Sequence, residues 1–328
     1  MSADSIRGVK LSSVTLPLKT AISDAKVFTG RQKPMTEVAF LFAEISTEQG
    51  LEGIGFSYSK RAGGPAQFAH AKEVAEGLIG EDPNDIGRLI TKLQWAGASV
   101  GRSGLATQAL AAVDIALYDL KAKRADLPLA KLLGAHRDSV RTYNTSGGFL
   151  NASLDEVRDR ASRSVEEGIG GIKIKVGLPD SAEDIRRVRG VREHIGDDVP
   201  LMVDANQQWD HSTALRMGRR LEEFDLVWIE EPLDAYDVEG HARLTRTLDT
   251  PIATGEMLAS VAEHERLIDG GACDIIQPDA PRVGGITQFM RLETKDGRML
   301  IPDRPGLGIT ISDQARAWTV DSAEFGRI

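Results

Sequence analysis

Between Ser139 and Gln277 the chain repeats one pattern: a short, nearly all-apolar run ending in a polar residue, then an amphipathic stretch of helical period. The runs are Val140–Thr145, Gly171–Val176, Leu201–Asp204, Leu226–Glu230, Ile252–Glu256 and Cys273–Gln277. Strands apolar on both faces are covered on both sides, and strands alternating with helices pair in parallel. In Ser153–Glu167 the residues Leu154, Val157, Ala161 and Val165 make one stripe behind a Ser153/Glu156 capping box. Ser181–Ile195 aligns Ile185, Val188, Val191 and Ile195 before Gly196. Six repeats of one sense fit an α/β fold of TIM-like (β/α) barrel type better than an open sheet.

The first third has a different texture. Val9–Leu18, Val38–Ile45 and Leu51–Tyr58 read as a meander turning at Glu48-Gln49-Gly50, and helices follow over Pro65–Gly80, Asp85–Trp95 and Leu105–Arg124. The change of pattern places an α+β unit at 1–138 and the barrel at 139–292. A length of 328 residues suits one large and one smaller unit. Forty basic against forty-nine acidic side chains, net −9, argue against a nucleic-acid partner. Cys273, the single cysteine, excludes an intrachain disulfide and reads as a buried structural thiol. With no signal-like start and no membrane-length apolar run, a cytoplasmic place is expected.

Active sites of (β/α) barrels form at the C-terminal strand ends. Here Asp204, Glu230 and Glu256 sit at three successive ends, 26 residues apart in each case. Three carboxylates crowded together call for a hard cation, and oxygen-only ligands favour Mg2+ over zinc. Lys173 and Lys175 flank Ile174 on the preceding strand, so both ammonium groups share one face. A lysine inside a barrel beside a second cation should have its proton destabilised, which makes it a candidate base.

The lysine pair, the three acids, Gln277-Pro278-Asp279 and the stretch Asp114–Lys121 together resemble the mandelate racemase-like branch of the enolase superfamily. Within it the chain is similar to dehydratases of acid sugars of the galactarate and L-talarate kind. The resemblance implies that residues 1–138 form a capping domain to which 293–328 return. It implies Mg2+ on Asp204, Glu230 and Glu256, Lys175 as the base removing the proton α to a carboxylate, and Lys173 holding that carboxylate and lowering the neighbouring pKa. Asn206 would hydrogen-bond substrate or metal site. Asp279 would orient a histidine, and Asp24, Lys26, Lys60 and Arg61 would close over the far end of the substrate, the last two on a loop over the barrel mouth. The expected partners are a small dicarboxylic sugar acid and further copies of the chain, with no nucleic acid and no membrane.

One part of the pattern is absent. The histidines are His70, His136, His194, His211, His241 and His264, and none follows Asp279. His264 lies in the helical run Val261–Ile268 and reads as a surface histidine. From Leu292 the chain passes to Glu293-Thr294-Lys295, which resembles the return to the capping domain, so the last two barrel units have no counterpart. At about 30 residues each they amount to about 60 residues. Losing them would expose a sheet edge and core, so the expectation is that the polypeptide carries a stretch not represented between Met290 and Thr294. The same lysines and metal would serve a racemase, epimerase or cycloisomerase, and the absent histidine would suit a catalytically inactive metal-binding homologue.

Overall fold

A computed structural model describes residues 4–285, 294–295, 298–300 and 304–326. The strands β1 (Ile6–Ile22), β2 (Met35–Thr47) and β3 (Glu52–Lys60) form the expected antiparallel meander. Alternation sets the faces: Leu41, Ala43 and Ile45 of β2 are buried, while Phe40 and Phe42 pair across to Tyr58 and Phe56 of β3. Four helices follow the chain around this sheet: α1 (Ala25–Phe28), α2 (Gly64–Ala75), α3 (Ile86–Ala96) and α4 (Leu105–Arg124). Leu11, Leu41, Leu78, Leu89, Leu93 and Leu117 fill the core between them.

β3 lies directly against α4 because it presents glycine there. A Cβ on Gly55 would stand 2.1 Å from the Ala112 carbonyl oxygen, and one on Gly53 would stand 2.2 Å from that of Ala116. Both obstacles are backbone and cannot step aside. Gly55→Ala is therefore expected to destabilise the protein by about 3 kcal/mol in urea unfolding, the upper part of the overpacking range. A loss under about 0.5 kcal/mol would show that the strand and helix are not held at this distance.

The run Val140–Thr145 does not form one strand. β4 (Ser139–Arg141), largely exposed, pairs antiparallel with Arg298–Leu300, and the chain enters the parallel sheet only at Asn144. That sheet comprises β5 (Asn144–Gly148), β6 (Ile172–Lys175), β7 (Leu201–Asp204), β8 (Ile229–Glu230), β9 (Ile252–Thr254) and β10 (Ile275–Ile276), side by side in chain order and all parallel. Ile174, Val188, Leu201, Val203, Leu221, Ile229 and Ile252 pack between strands and helices. This is the expected strand–helix arrangement of a (β/α) barrel, and among the described residues β5 and β10 are its open edges. The junction from Met290 to Thr294 lies outside the described residues apart from Thr294 itself, whose strand β11 (Thr294–Lys295) pairs with β12 (Arg298–Leu300). β13 (Thr319–Gly326) runs antiparallel along β1, from Gly8 opposite Gly326 to Val14 opposite Thr319.

Two single-residue expectations change. Cys273 is half-buried, just ahead of the short edge strand β10. His264 is buried, not on the surface: the helix Val261–Asp269 turns His264 and Leu267 inward while Val261 and Ile268 are exposed. The inward imidazole faces two carbonyl oxygens, Nδ1 2.8 Å from that of Ser260 and Nε2 3.1 Å from that of Gly255, and a ring with one N–H donates to one of them. Among the described residues no helix is long and apolar enough to cross a membrane.

Candidate active site

Register brings the chemistry together. Lys175 pairs with Asp204 across β6 and β7, and Asp204 with Glu230 across β7 and β8, so three charged groups stand in a row at neighbouring strand ends. Strands are spaced at about 4.8 Å, within the reach of these side chains. Lys173 Nζ donates to Glu230 Oε1 at 2.5 Å and lies 3.7 Å from Asp204 Oδ2. Lys175 Nζ donates to Asp204 Oδ2. The Asn206 backbone N–H donates to Asp204 Oδ1 at 2.8 Å, with Asn206 at φ +46°. Glu230 Oε2 accepts from Trp228 Nε1 and from Gln277 Nε2, both at 3.0 Å. The Tyr143 ring lies 5.5 Å from Lys173 Nζ. Trp228, Gln277 and Tyr143 escaped the sequence reading of the site, although Gln277 stood in a quoted motif.

Glu256 lies two residues beyond β9, after Gly255 at φ +124°. With Asn206 and Glu231 it lines a cavity of about 300 Å³, whose other walls carry Asp24, Lys26, Lys60, Arg61 and Arg282. All four expected capping residues therefore face the same space as Glu256. Asp24 caps α1 by accepting from the Lys26 N–H at 3.0 Å and holds Arg61 Nη2 at 2.9 Å. Lys60 Nζ lies over the Tyr58 ring.

Two features of the charged side chains bear on the site expectations. Among the described residues no three His, Cys, Asp or Glu side chains stand as a group able to hold a metal ion. The strand ends of Asp204 and Glu230 are adjacent as expected, but the ammonium groups of Lys173 and Lys175 are drawn onto these two acids. The second feature concerns the proton. Burial disfavours the Lys175 ammonium, yet Asp204 outweighs burial and the repulsion of Lys173, and the Lys175 pKa is raised rather than lowered. Lys173 is raised in the same way by Asp204 and Glu230.

The acids feel their own crowding. Burial, then Asp204, pushes Glu230 up. Burial, then the charges of Glu256 and Asp204, pushes Glu231 to about 8. Glu231 is fully buried; among the described residues its Oε1 has no partner and its Oε2 accepts from Gln207 Nε2 at 3.1 Å. An oxygen-only set with an orphaned buried carboxylate oxygen fits a hard divalent cation. Asp279 accepts from the Tyr58 hydroxyl through Oδ2, and among the described residues its buried Oδ1 has no partner. Burial raises its pKa.

The loop leaving the lysine strand is held by Asp184, fully buried, which accepts from the N–H groups of Gly177 at 2.8 Å and Leu178 at 3.1 Å. Burial outweighs these bonds and pushes the Asp184 pKa up to about 6. A carboxyl raised on folding binds its proton more tightly in the native state. Its ionisation therefore costs stability progressively as pH rises from about 4 to about 6, and the full cost is present above that. Asp184→Asn keeps an acceptor for the N–H pair, so its stability relative to wild type is expected to improve by about 3 kcal/mol between pH 4 and pH 7. A pH-independent difference in urea unfolding would refute the assignment.

Residues 21–134 match the mandelate racemase/muconate lactonizing enzyme N-terminal domain, and residues 156–294 match the enolase C-terminal domain-like family. The L-talarate/galactarate dehydratase of Salmonella typhimurium is 58% identical over 373 aligned positions, which span 99% of this chain and 94% of that enzyme. The chain belongs to the mandelate racemase/muconate lactonizing enzyme family of the enolase superfamily. A crystal structure of the Salmonella family member liganded with Mg and L-lyxarohydroxamate matches with a TM-score of 0.97 over 99% of this chain and 95% of that one. The L-talarate dehydratase of Polaromonas sp. JS666, complexed with Mg and L-glucarate, matches with a TM-score of 0.95 at 59% identity, over 99% and 100% of the two chains. Since 373 aligned positions exceed the 328 residues present, the Salmonella family member carries at least 45 residues inside the matched span that this chain lacks.

Proposed function

We propose that the chain is a Mg2+-dependent dehydratase of dicarboxylic sugar acids of the galactarate and L-talarate type, a carbon–oxygen hydro-lyase. The observation that carries this reading is the row Lys175–Asp204–Glu230 with Lys173 against it, beside a cavity rimmed by cations. The 58% identity to the Salmonella dehydratase supports it. Residues 1–138, with 293–328 returning to them, are read as a cap over the barrel segment 139–292.

Asp204, Glu230 and Glu256 would hold the metal, with Glu231 Oε1 and Asn206 beside them. When bound, the cation supplies countercharge to these acids and to the enediolate formed from a substrate carboxylate. Were Asp204 to serve as a ligand, it would no longer be free to hold the proton on Lys175. Burial and the charge of Lys173 then favour the neutral amine that accepts the α-proton. Lys173 holds the substrate carboxylate, and its charge stabilises the enediolate more than the ground state. Asp24, Lys26, Lys60 and Arg61 exclude water from the cavity above. The β-hydroxyl then leaves as water with a proton drawn from solvent, and the resulting enol tautomerises to a keto-deoxy acid.

The test is a panel of acid sugars incubated with the purified protein and Mg2+, with and without a chelator, followed for keto-deoxy product and for inversion at the α-carbon. Chelator-sensitive product from galactarate or L-talarate is the expected result. Inversion alone assigns a racemase or epimerase, isomerisation without water loss a cycloisomerase, and no reaction an inactive metal-binding protein.

A further inference from the structure

We infer that Arg282 is a substrate-binding residue that recognises the carboxylate remote from the reacting carbon and so makes the site selective for dicarboxylic over monocarboxylic acids. The inference rests on the acid-sugar reading above and deepens it with a residue outside the lysines, the acids and the cap.

Arg282 is buried, at 9% exposure, and lines the cavity shared with Asn206, Glu256 and Lys60. A guanidinium is always charged, and its burial is costly without an anionic partner. Among the described residues it makes no ion pair. Nη2 donates to the Met257 carbonyl at 3.2 Å, and Nε is buried with no partner. The acid whose charge it feels, Asp279, has Oδ2 occupied by the Tyr58 hydroxyl. The other cations on the cavity wall are differently placed. Arg61 is neutralised by Asp24 at 2.9 Å, and Lys60 lies over the Tyr58 ring. Arg282 is thus a buried cation of this wall that makes no ion pair among the described residues.

Its place in the fold selects which carboxylate it meets. Arg282 follows β10, whereas Lys173 and Lys175 lie on β6, four strands away in the sheet. Arg282 lines the cavity with Lys60 and Arg61, whereas Lys173 and Lys175 do not line it, so a carboxylate held by Lys173 is a different one from that facing Arg282. An acid carrying a second carboxylate at the other end of a short polyhydroxy chain meets both. Arginine offers that group a planar fork of N–H donors, which lysine does not reproduce.

The experiment compares wild type, Arg282→Gln and Arg282→Lys on galactarate and on galactonate, its analogue with one carboxylate, with Mg2+ present. Binding of each acid is titrated calorimetrically in parallel with turnover. The expected result is a loss of about 100-fold in affinity and in kcat/KM for galactarate in Arg282→Gln, the scale of a charge-assisted pair. Galactonate should change less than threefold, and Arg282→Lys should recover part of the loss. An equal loss for both acids, or no loss for galactarate, overturns the inference, and so does failure of wild type to bind galactarate. Selective loss of galactarate binding with no turnover by wild type upholds Arg282 as the anion site while refuting the dehydratase reading. Unfolding of Arg282→Gln leaves Arg282→Lys to decide: wild-type affinity for galactarate there would overturn the requirement for a bidentate donor.

Discussion

Lys175→Ala is expected to abolish exchange of the substrate α-proton with solvent deuterium, a fall of at least about 1,000-fold, while Mg2+ binding persists. The side chain stands at the end of β6 against Asp204, where under the proposed function a substrate held by Lys173 would present its α-carbon. Removing it takes away the base without removing a proposed metal ligand. Asp204 keeps Lys173 at 3.7 Å and the Asn206 N–H at 2.8 Å, so the carboxylate is not left bare. Deuterium exchange followed by NMR is the suitable readout because it reports proton removal alone, whether or not water then departs. Exchange at the wild-type rate in the variant would remove Lys175 from the base role. A loss of Mg2+ affinity alongside would mean that the ammonium shapes the metal site itself.

The barrel portion was legible because it follows from short-range rules. Apolar runs of β6 and β7 and the stripes of Ser153–Glu167 and Ser181–Ile195 report burial directly, and parallel pairing follows from the alternation. The juxtaposition of Lys175, Asp204 and Glu230 was legible too, since register in a parallel sheet aligns the strand ends. What sequence could not show was the outcome of competition among charges. The spacing of Lys173 and Lys175 predicts two cations on one face, and a depressed pKa follows only if no acid is closer than the other lysine. Asp204 and Glu230 are closer, and the direction reverses. His264 was misread for a related reason: the Gly255 carbonyl that its inward ring meets lies outside the helix and is brought there only by the packing.

The missing histidine and the missing barrel units have one explanation in the chain itself. At least 45 residues present in the Salmonella relative have no counterpart here, the same order as the roughly 60 that two (β/α) units require. No histidine follows Asp279 in the sequence, so proton delivery to the departing hydroxyl has no donor at the position the family resemblance implies. Exchange of the α-proton reports the first step alone, so it tests the proposed role of Lys175 whether or not water departs.

Asp204→Ala is expected to lower stability by about 3–5 kcal/mol and to eliminate Mg2+ binding together with activity. Asp204 is fully buried and serves both lysines at once, so its loss leaves Lys173 with Glu230 and Lys175 with only the through-space charge of Glu256. Removing one partner of a buried pair is more damaging than removing both, because the stranded charge keeps its desolvation cost. The double variant Asp204→Ala/Lys175→Met should accordingly recover about 2 kcal/mol relative to Asp204→Ala alone, a coupling within the range of contacting charged residues. Urea unfolding of the four proteins in the cycle, without added metal, measures this term free of ligand linkage. Additive losses within about 0.5 kcal/mol would mean that the Lys175–Asp204 contact does not carry the charge balance of the site. Coupling of the expected sign, with Mg2+ affinity absent from every variant lacking Asp204, would establish one carboxylate as both the counter-ion of the resting lysines and a ligand of the metal.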